Sequence, residues 1–353
     1  MHSLVWMNEP LSFLQRLCEQ IEHVYLLEKA NTFSDSCLRL AYVCAFALTP
    51  YLNTATRHKK PFNPLLGETY EYIPPDKSFR FIGEQVSHHP PISAGYAESP
   101  AFELWSDSNV KSGLKGTTIE VRPLGSTHAV LKKHKDHFTF RRPITTVGGI
   151  IFGSVYVDNH GEVIVTNHTT KDVAVMHLKS KGWTEKGMGD FTGTITDATG
   201  KLRYKLIGNT NRNFKIIDPE TNQETLIFEK PPLPEDYARM FGFNHFAIQL
   251  NHLSKDMLNH LAPTDSRLRP DQRAWEQGLS ELASSEKHRL EEKQRARRKL
   301  YEATGRVHEP KWFKEIIDPI TNEKSFIYTG GYWENRETQN FPDILDIYTD
   351  QPV

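Results

Sequence analysis

The chain has 353 residues, an apolar fraction of 38% and a formal charge of −1. That length allows one large domain or two smaller ones with a sizeable core, and near-neutrality removes any global electrostatic case for binding nucleic acid. Cys18, Cys37 and Cys44 are an odd set without CxxC spacing, no apolar run reaches the length of a membrane span, and Met1 to Met7 shows no signal-peptide pattern. The expectation is a protein of a reducing compartment whose membrane contact is peripheral.

In chain order, Met1 to Met7 is short and apolar. Asn8-Glu9-Pro10 reads as a helix start, Asn8 capping and Pro10 early in the first turn. Leu11, Leu14, Leu17, Cys18, Ile21 and Val24 then recur at helical spacing. A second helix, from Ser34 or Asp35 to Thr49, is apolar on most sides. It is expected either in the core or against a lipid-like ligand, core burial being the simpler reading. The basic run Arg57-His58-Lys59-Lys60 precedes the turn-rich Pro61-Phe62-Asn63-Pro64. Lys60 and Asn63 offer an ammonium and an amide to an anionic, hydroxylated headgroup, with a solvated basic loop as the alternative.

From about Thr69 to Phe228 short strand-like runs follow one another, among them Ser78 to Ile82, Ile92 to Tyr96, Ala101 to Trp105, Asp190 to Thr196 and Leu202 to Gly208. Helical patterns are largely absent, so a meandering antiparallel barrel or strongly curved sheet is expected, large enough to enclose a ligand. Within this series His88 and His89 precede Pro90 and Pro91. Adjacent residues of an extended segment point to opposite faces, so both imidazoles serve one anion only if the backbone turns there, as the proline pair favours. Two ordinary loop histidines are the alternative. Gly148-Gly149, near Ile150, Ile151, Phe152 and Gly153, reads as a turn or a close backbone approach and lacks the GxGxxG pattern of a dinucleotide site.

Pro231 to Pro234 breaks the strand series, and an amphipathic helix is expected from Pro234 or Glu235, interrupted at Gly242 and Asn244 and ended by Pro263. After the connector Thr264 to Pro270, a long helix is expected from Asp271 to Tyr301. On it Lys287, Glu291 and Arg295 are four apart and share a face, and Glu286 to Lys299 holds seven Lys or Arg against three Glu. A solvated, salt-bridged face explains this spacing equally well; an anion site becomes preferable if the face meets the histidines and Lys60. The tail from Trp312 to Ile347 reads as strand and turn. No internal repeat is visible, and the chain is expected to form one domain, 1–353, with an N-terminal segment and helices at 1–56, barrel strands at 57–230 and a helical region with the tail at 231–353. Adjacent histidines lack the HExxH geometry and no carboxylate or cysteine completes a first shell, so a metal-dependent hydrolase is the weakest reading. There is no GxSxG either.

The stretch Glu84-Gln85-Val86-Ser87-His88-His89-Pro90-Pro91 resembles the signature of the lipid-binding domain of the oxysterol-binding-protein-related family. Asn8-Glu9-Pro10-Leu11-Ser12, Lys60-Pro61-Phe62-Asn63-Pro64-Leu65-Leu66-Gly67-Glu68 and Asp265-Ser266-Arg267-Leu268-Arg269-Pro270-Asp271 support it in the same order along the chain. The resemblance implies a mainly β fold with flanking helices: a large incomplete antiparallel β-barrel of about nineteen strands enclosing a lipid tunnel, with N-terminal helices and a long helix in the C-terminal region. It implies a non-enzymatic lipid-transfer protein without cofactor or metal, whose ligand is phosphatidylinositol 4-phosphate, exchanged in some members for a sterol or phosphatidylserine. A carrier of the phosphoinositide alone, or a sensor or tether, is the alternative. Carried over residue by residue, His88 and His89 contact the 4-phosphate, Lys60 and Asn63 lie near the headgroup, Lys287 and Arg295 add cations, and Glu291 accepts from inositol hydroxyls or holds the two cations. The implied location is cytoplasmic and peripheral, at contacts of the endoplasmic reticulum with the Golgi or plasma membrane; protein partners are not indicated. Many relatives carry a further segment before the Asn8-Glu9-Pro10 region that closes the tunnel mouth, so a very short lid or a truncated chain is expected here. Since phosphate favours charged imidazoles, headgroup binding is expected to weaken as pH rises.

Overall fold

The computed structural model describes residues 5–57, 59–149, 155–182 and 187–351. The predicted features at Met1 to Leu4, His58 and Ile150 to Gly153 lie outside these residues. The chain forms two compact units, one of residues 1–19, 59–97 and 245–353, the other of residues 20–58 and 98–244.

In the second unit the strand series is a meander. Tyr156–Asn167, Val173–Leu178, Asp190–Thr196, Leu202–Asn209, Asn213–Ile217 and Glu224–Glu229 pair antiparallel, each with its neighbour in sequence. Alternation sets the buried face: Ala174, Met176 and Leu178 are buried on one strand, Asp136, Phe138 and Phe140 on another. Tyr156–Asn167 forks. Its first half pairs with Ile144–Gly148 and its end with Asp136–Phe140. Gly161, with φ of +96°, sits at the fork, where a side chain would be strained. Val110–Lys115, Ile144–Gly148, Asn213–Ile217 and Glu224–Glu229 also lie within the expected strand series, though none is among the runs singled out from the sequence.

Helix Ser36–Leu48 starts where expected, with the Asp35 carboxylate accepting the N–H groups of Cys37 and Leu38. It packs against the strands of its own unit, so core burial explains its apolar faces. Its one cation, Arg39, is buried against Asp136 at 2.6 Å. The amphipathic helix expected from Pro234 is not continuous. Tyr237–Arg239 is a single 3-10 turn, Phe241 and Gly242 both take positive φ, and short helices resume at His245–Gln249 and Lys255–Leu258.

The first unit carries three antiparallel strands, Thr69–Tyr72, Arg80–His88 and Pro91–Glu98, and a hairpin of Phe313–Ile317 with Lys324–Tyr328. Strands outnumber helices among the described residues, the mainly β class that was expected. Two predicted helices need correction. Asn8–Ser12 is a strand pairing in parallel with Lys60–Phe62, its backbone groups engaged there, and helix Phe13–Glu19 follows. The cap is Ser12: its N–H donates to Gln15 Oε1 at 2.8 Å and its hydroxyl accepts from Gln15 N, a capping box. The helix expected over Asp271 to Tyr301 is two helices, Pro270–Glu276 and Ser280–Thr304, separated at Gly278, whose φ is +77°. The tail forms the hairpin and a short helix, Tyr332–Glu337. The three cysteines are free and buried. Among the described residues no helix is long and apolar enough to cross a membrane.

Candidate functional site

The site lies in the first unit and is built on a braced loop. Arg269 is almost wholly buried and donates to both Asp271 oxygens at 2.7 and 3.0 Å, to Glu68 at 3.0 Å and to the Asn63 carbonyl at 2.8 Å. Glu68 in turn accepts from Leu65 N at 2.9 Å and Ser266 Oγ at 2.6 Å. Burial pushes the Glu68 carboxyl up, and Arg269, Ser266 and Leu65 work against it. Two backbone bonds, Gly67 N to the Gln85 carbonyl and Gln85 N to the Glu68 carbonyl, then fasten residues 63–68 to the strand that ends in His88. Glu84 on that strand accepts the Lys311 and Trp312 N–H groups at 2.7 and 2.8 Å, and Gln85 holds Ser93 and the Ser87 carbonyl. The signature residues before the histidines therefore act as bracing.

The strand reverses at the proline pair, and the His88 and His89 rings meet edge to face with centroids 4.7 Å apart. Both turn toward helix Ser280–Thr304. His88 Nε2 is 2.8 Å from Gln294 Nε2, and His89 Nε2 is 3.1 Å from Arg298 Nη1. This helix is polar, with Ala283 and Leu290 its buried residues. Leu290 packs with Leu65 and Ile347, and Ala283 with Val5, Phe62 and Ala274. A second stripe, Arg289, Lys293 and Arg297, faces the C-terminal segment: Arg289 donates to the Tyr348 and Thr349 carbonyls, Lys293 to Asp346 at 2.8 Å, and Arg297 to the Asp346 carbonyl. Asp346 lies well below the usual carboxylate range. Burial alone would raise it, but the bonds from Lys293 and Thr349 prevail.

A cavity of about 670 Å³ opens between these elements, and six of the seven predicted residues line it: Asn63, His88, His89, Lys287, Glu291 and Arg295. Lys60 is not part of the lining, but its ammonium feels Lys287 and Glu291. Burial and Lys287 lower its pKa, and Glu291 opposes them. Glu291 pairs with Lys287 and lies 3.8 Å from Arg295, which also pairs with Glu292. His88 is pushed down to about 4 by burial, then by His89 and Arg298, with Glu291 opposing. His308, which also lines the cavity, is likewise pushed down to about 4 by burial and by Arg297. Like charges gathered in a partly dry pocket depress one another in this way, and a multiply charged anion relieves them. The arrangement offers several charge-assisted donors to one phosphorylated, hydroxylated group.

Sequence reasoning missed Gln294, Arg298 and His308. Gln294 and Arg298 continue the Leu290 stripe at spacings of four, a signal present in the sequence and passed over because only the Lys287 stripe alternated in charge. Among the described residues no group of three or more His, Cys, Asp or Glu is arranged to hold a metal ion.

Residues 3–337 match the family described as oxysterol-binding protein. Oxysterol-binding protein homolog 1 of Saccharomyces cerevisiae is 39% identical over 97% of this chain and 31% of its own length, so the chain spans about a third of that relative. Among solved structures, the Osh1 ORD domain in complex with cholesterol matches with a TM-score of 0.90 at 37% identity, covering 99% of this chain and 87% of that one. The Osh3 ORD from Saccharomyces cerevisiae in complex with PI(4)P matches with a TM-score of 0.86 at 32% identity, covering 99% and 91%. With its sequence matched almost end to end and its fold shared, the chain belongs to the oxysterol-binding protein family.

Proposed function

We propose that this chain is a lipid-transfer domain that takes up phosphatidylinositol 4-phosphate and exchanges it for a sterol between membranes. The observation that carries the reading is the convergence of His88 and His89 with the Lys287, Glu291 and Arg295 stripe in one cavity, beside Asn63 and with Lys60 at its edge. In this reading the histidines and the three cations hold the phosphates, Asn63 and Glu291 hold inositol hydroxyls, and an apolar enclosure keeps the acyl chains from water. Similar structures hold PI(4)P in one case and cholesterol in another, which supports two cargoes rather than one. Transfer makes and breaks no covalent bond, so the protein acts as a carrier and not an enzyme. It works at the cytoplasmic faces of membranes in close apposition, endoplasmic reticulum with Golgi or plasma membrane, touching each as a peripheral protein and using residues 1–353 as one lipid-binding domain.

The test is extraction from vesicles. The wild-type chain is expected to strip phosphatidylinositol 4-phosphate from liposomes in proportion to its own concentration. His88→Ala combined with His89→Ala is expected to abolish that extraction while sterol uptake persists. Equal loss of both lipids in a folded double variant, or full phosphoinositide extraction by it, contradicts the assignment.

A further inference from the structure

The hydrogen-bond direction at Gln294 can be read atom by atom. The Leu66 N–H can only donate, and it lies 2.8 Å from Gln294 Oε1. That places the amide oxygen toward Leu66 and the amide nitrogen toward His88, and an NH2 group has hydrogens to give and no lone pair to offer. His88 Nε2, 2.8 Å from that nitrogen, must accept. The neutral ring then carries its proton on Nδ1, which is buried and has no hydrogen-bond partner. Arg298 imposes the same sense on His89: a guanidinium only donates, and its Nη1 is 3.1 Å from His89 Nε2. Both imidazoles thus meet the long helix as acceptors, although a phosphate needs them as donors.

We infer that Gln294 is a positioning residue of the headgroup site, tethering residues 63–68 to the long helix and holding His88 as the neutral Nδ1–H tautomer, so that engagement of a phosphate by Nε2 takes up a proton and releases the Gln294 bond. The coupling to headgroup capture rests on the proposed lipid reading; the tautomer does not. The charged and titratable groups about His88 agree with a neutral resting ring. His89 adjoins it, Arg298 and Glu291 face it from the helix, Lys287 and Arg295 lie further along that wall, and Arg269 and His308 line the cavity from the other segments. Lys293, Arg297, Arg306 and Glu302 complete the charged lining. Burial opposes a proton on His88 most, His89 and Arg298 add to it, and Glu291 favours one.

The experiment is a two-bond ¹H–¹⁵N histidine spectrum of the ligand-free protein across pH, with His88 assigned from its loss in His88→Asn. Wild type is expected to show His88 protonated at Nδ1 and unprotonated at Nε2. Gln294→Glu keeps an acceptor for Leu66 but presents only acceptors to His88. It is expected to move the proton to Nε2 and raise the titration midpoint by at least about one pH unit. Gln294→Met removes both bonds and is expected to give a mixture of tautomers. An unchanged tautomer and midpoint in Gln294→Glu, or a pure Nδ1–H form in Gln294→Met, overturns the inference. Calorimetry with phosphatidylinositol 4-phosphate vesicles in buffers of different ionisation enthalpy then reads the proton: uptake on binding by wild type is expected, and its absence overturns the coupling. Since the spectra contain no lipid, their failure leaves the lipid reading intact, and failure to bind lipid leaves the tautomer assignment intact.

Discussion

At the scale of single residues, the headgroup pocket ranks its own cations. The Lys287 side chain is 12% exposed, whereas that of Arg295 is 44% exposed and shared between Glu291 and Glu292. A dry, charge-assisted donor contributes about 1.5–3 kcal/mol, and a wet one much less. Lys287→Ala is therefore expected to weaken phosphoinositide extraction roughly 10- to 100-fold, and Arg295→Ala less than about 10-fold, measured by titrating vesicle extraction against protein concentration. A larger loss at Arg295 would mean that the headgroup rearranges the pairs seen along this helix. Much of this set was legible from residue type in the signature, because His88, His89, Lys287, Glu291 and Arg295 carry their chemistry on their faces. Gln294 does not. Its role depends on which of two amide atoms meets Leu66, and that is fixed by the fold rather than by spacing.

Among elements, the helix Ser280–Thr304 and the loop 63–68 are held by polar networks more than by apolar faces. Arg269 connects Asp271, Glu68 and the Asn63 carbonyl in a nearly dry setting. Arg269→Met is expected to cost about 3–5 kcal/mol, because it strands two buried carboxylates without their counter-charge. The fall appears in the denaturant midpoint, and a change under about 1 kcal/mol would show that water enters and rescues them. Strands such as Asp190–Thr196 were readable because alternation is a local property of the sequence. Asn8-Glu9-Pro10 misled because the partner that makes it a strand, Lys60–Phe62, is some fifty residues away, while the true cap, Ser12 with Gln15, was equally visible. One glycine, Gly278, is all that marks the break between the last helices in the sequence, and its φ of +77° is set by the fold.

For the whole molecule, buried imidazoles set the acid limit. His23 and His308 join His88 in being pushed down to about 4, in each case chiefly by burial. The unfolded chain protonates these rings near the ordinary value of about 6.5, so it binds more protons than the folded protein between roughly pH 6.5 and 4, and stability falls as pH drops through that window. Glu84 has the opposite sign: burial raises it to about 7, so its contribution is fullest at low pH and declines as pH rises through about 7. Burial also raises the Glu68 and Glu71 carboxyls, which act in the same sense as Glu84. The three imidazoles are expected to outweigh them, so the melting temperature is expected to fall between pH 7 and pH 5 by scanning calorimetry, and a rise would mean that the buried carboxyls dominate. The claim that bears most weight is exchange of two lipids by one carrier. Native mass spectrometry after incubation with liposomes containing phosphatidylinositol 4-phosphate, ergosterol, cholesterol and phosphatidylserine tests it directly. The account predicts separate one-to-one complexes with the phosphoinositide and with a sterol, each displacing the other. Recovery of the phosphoinositide alone, or of both lipids bound at once, would contradict it.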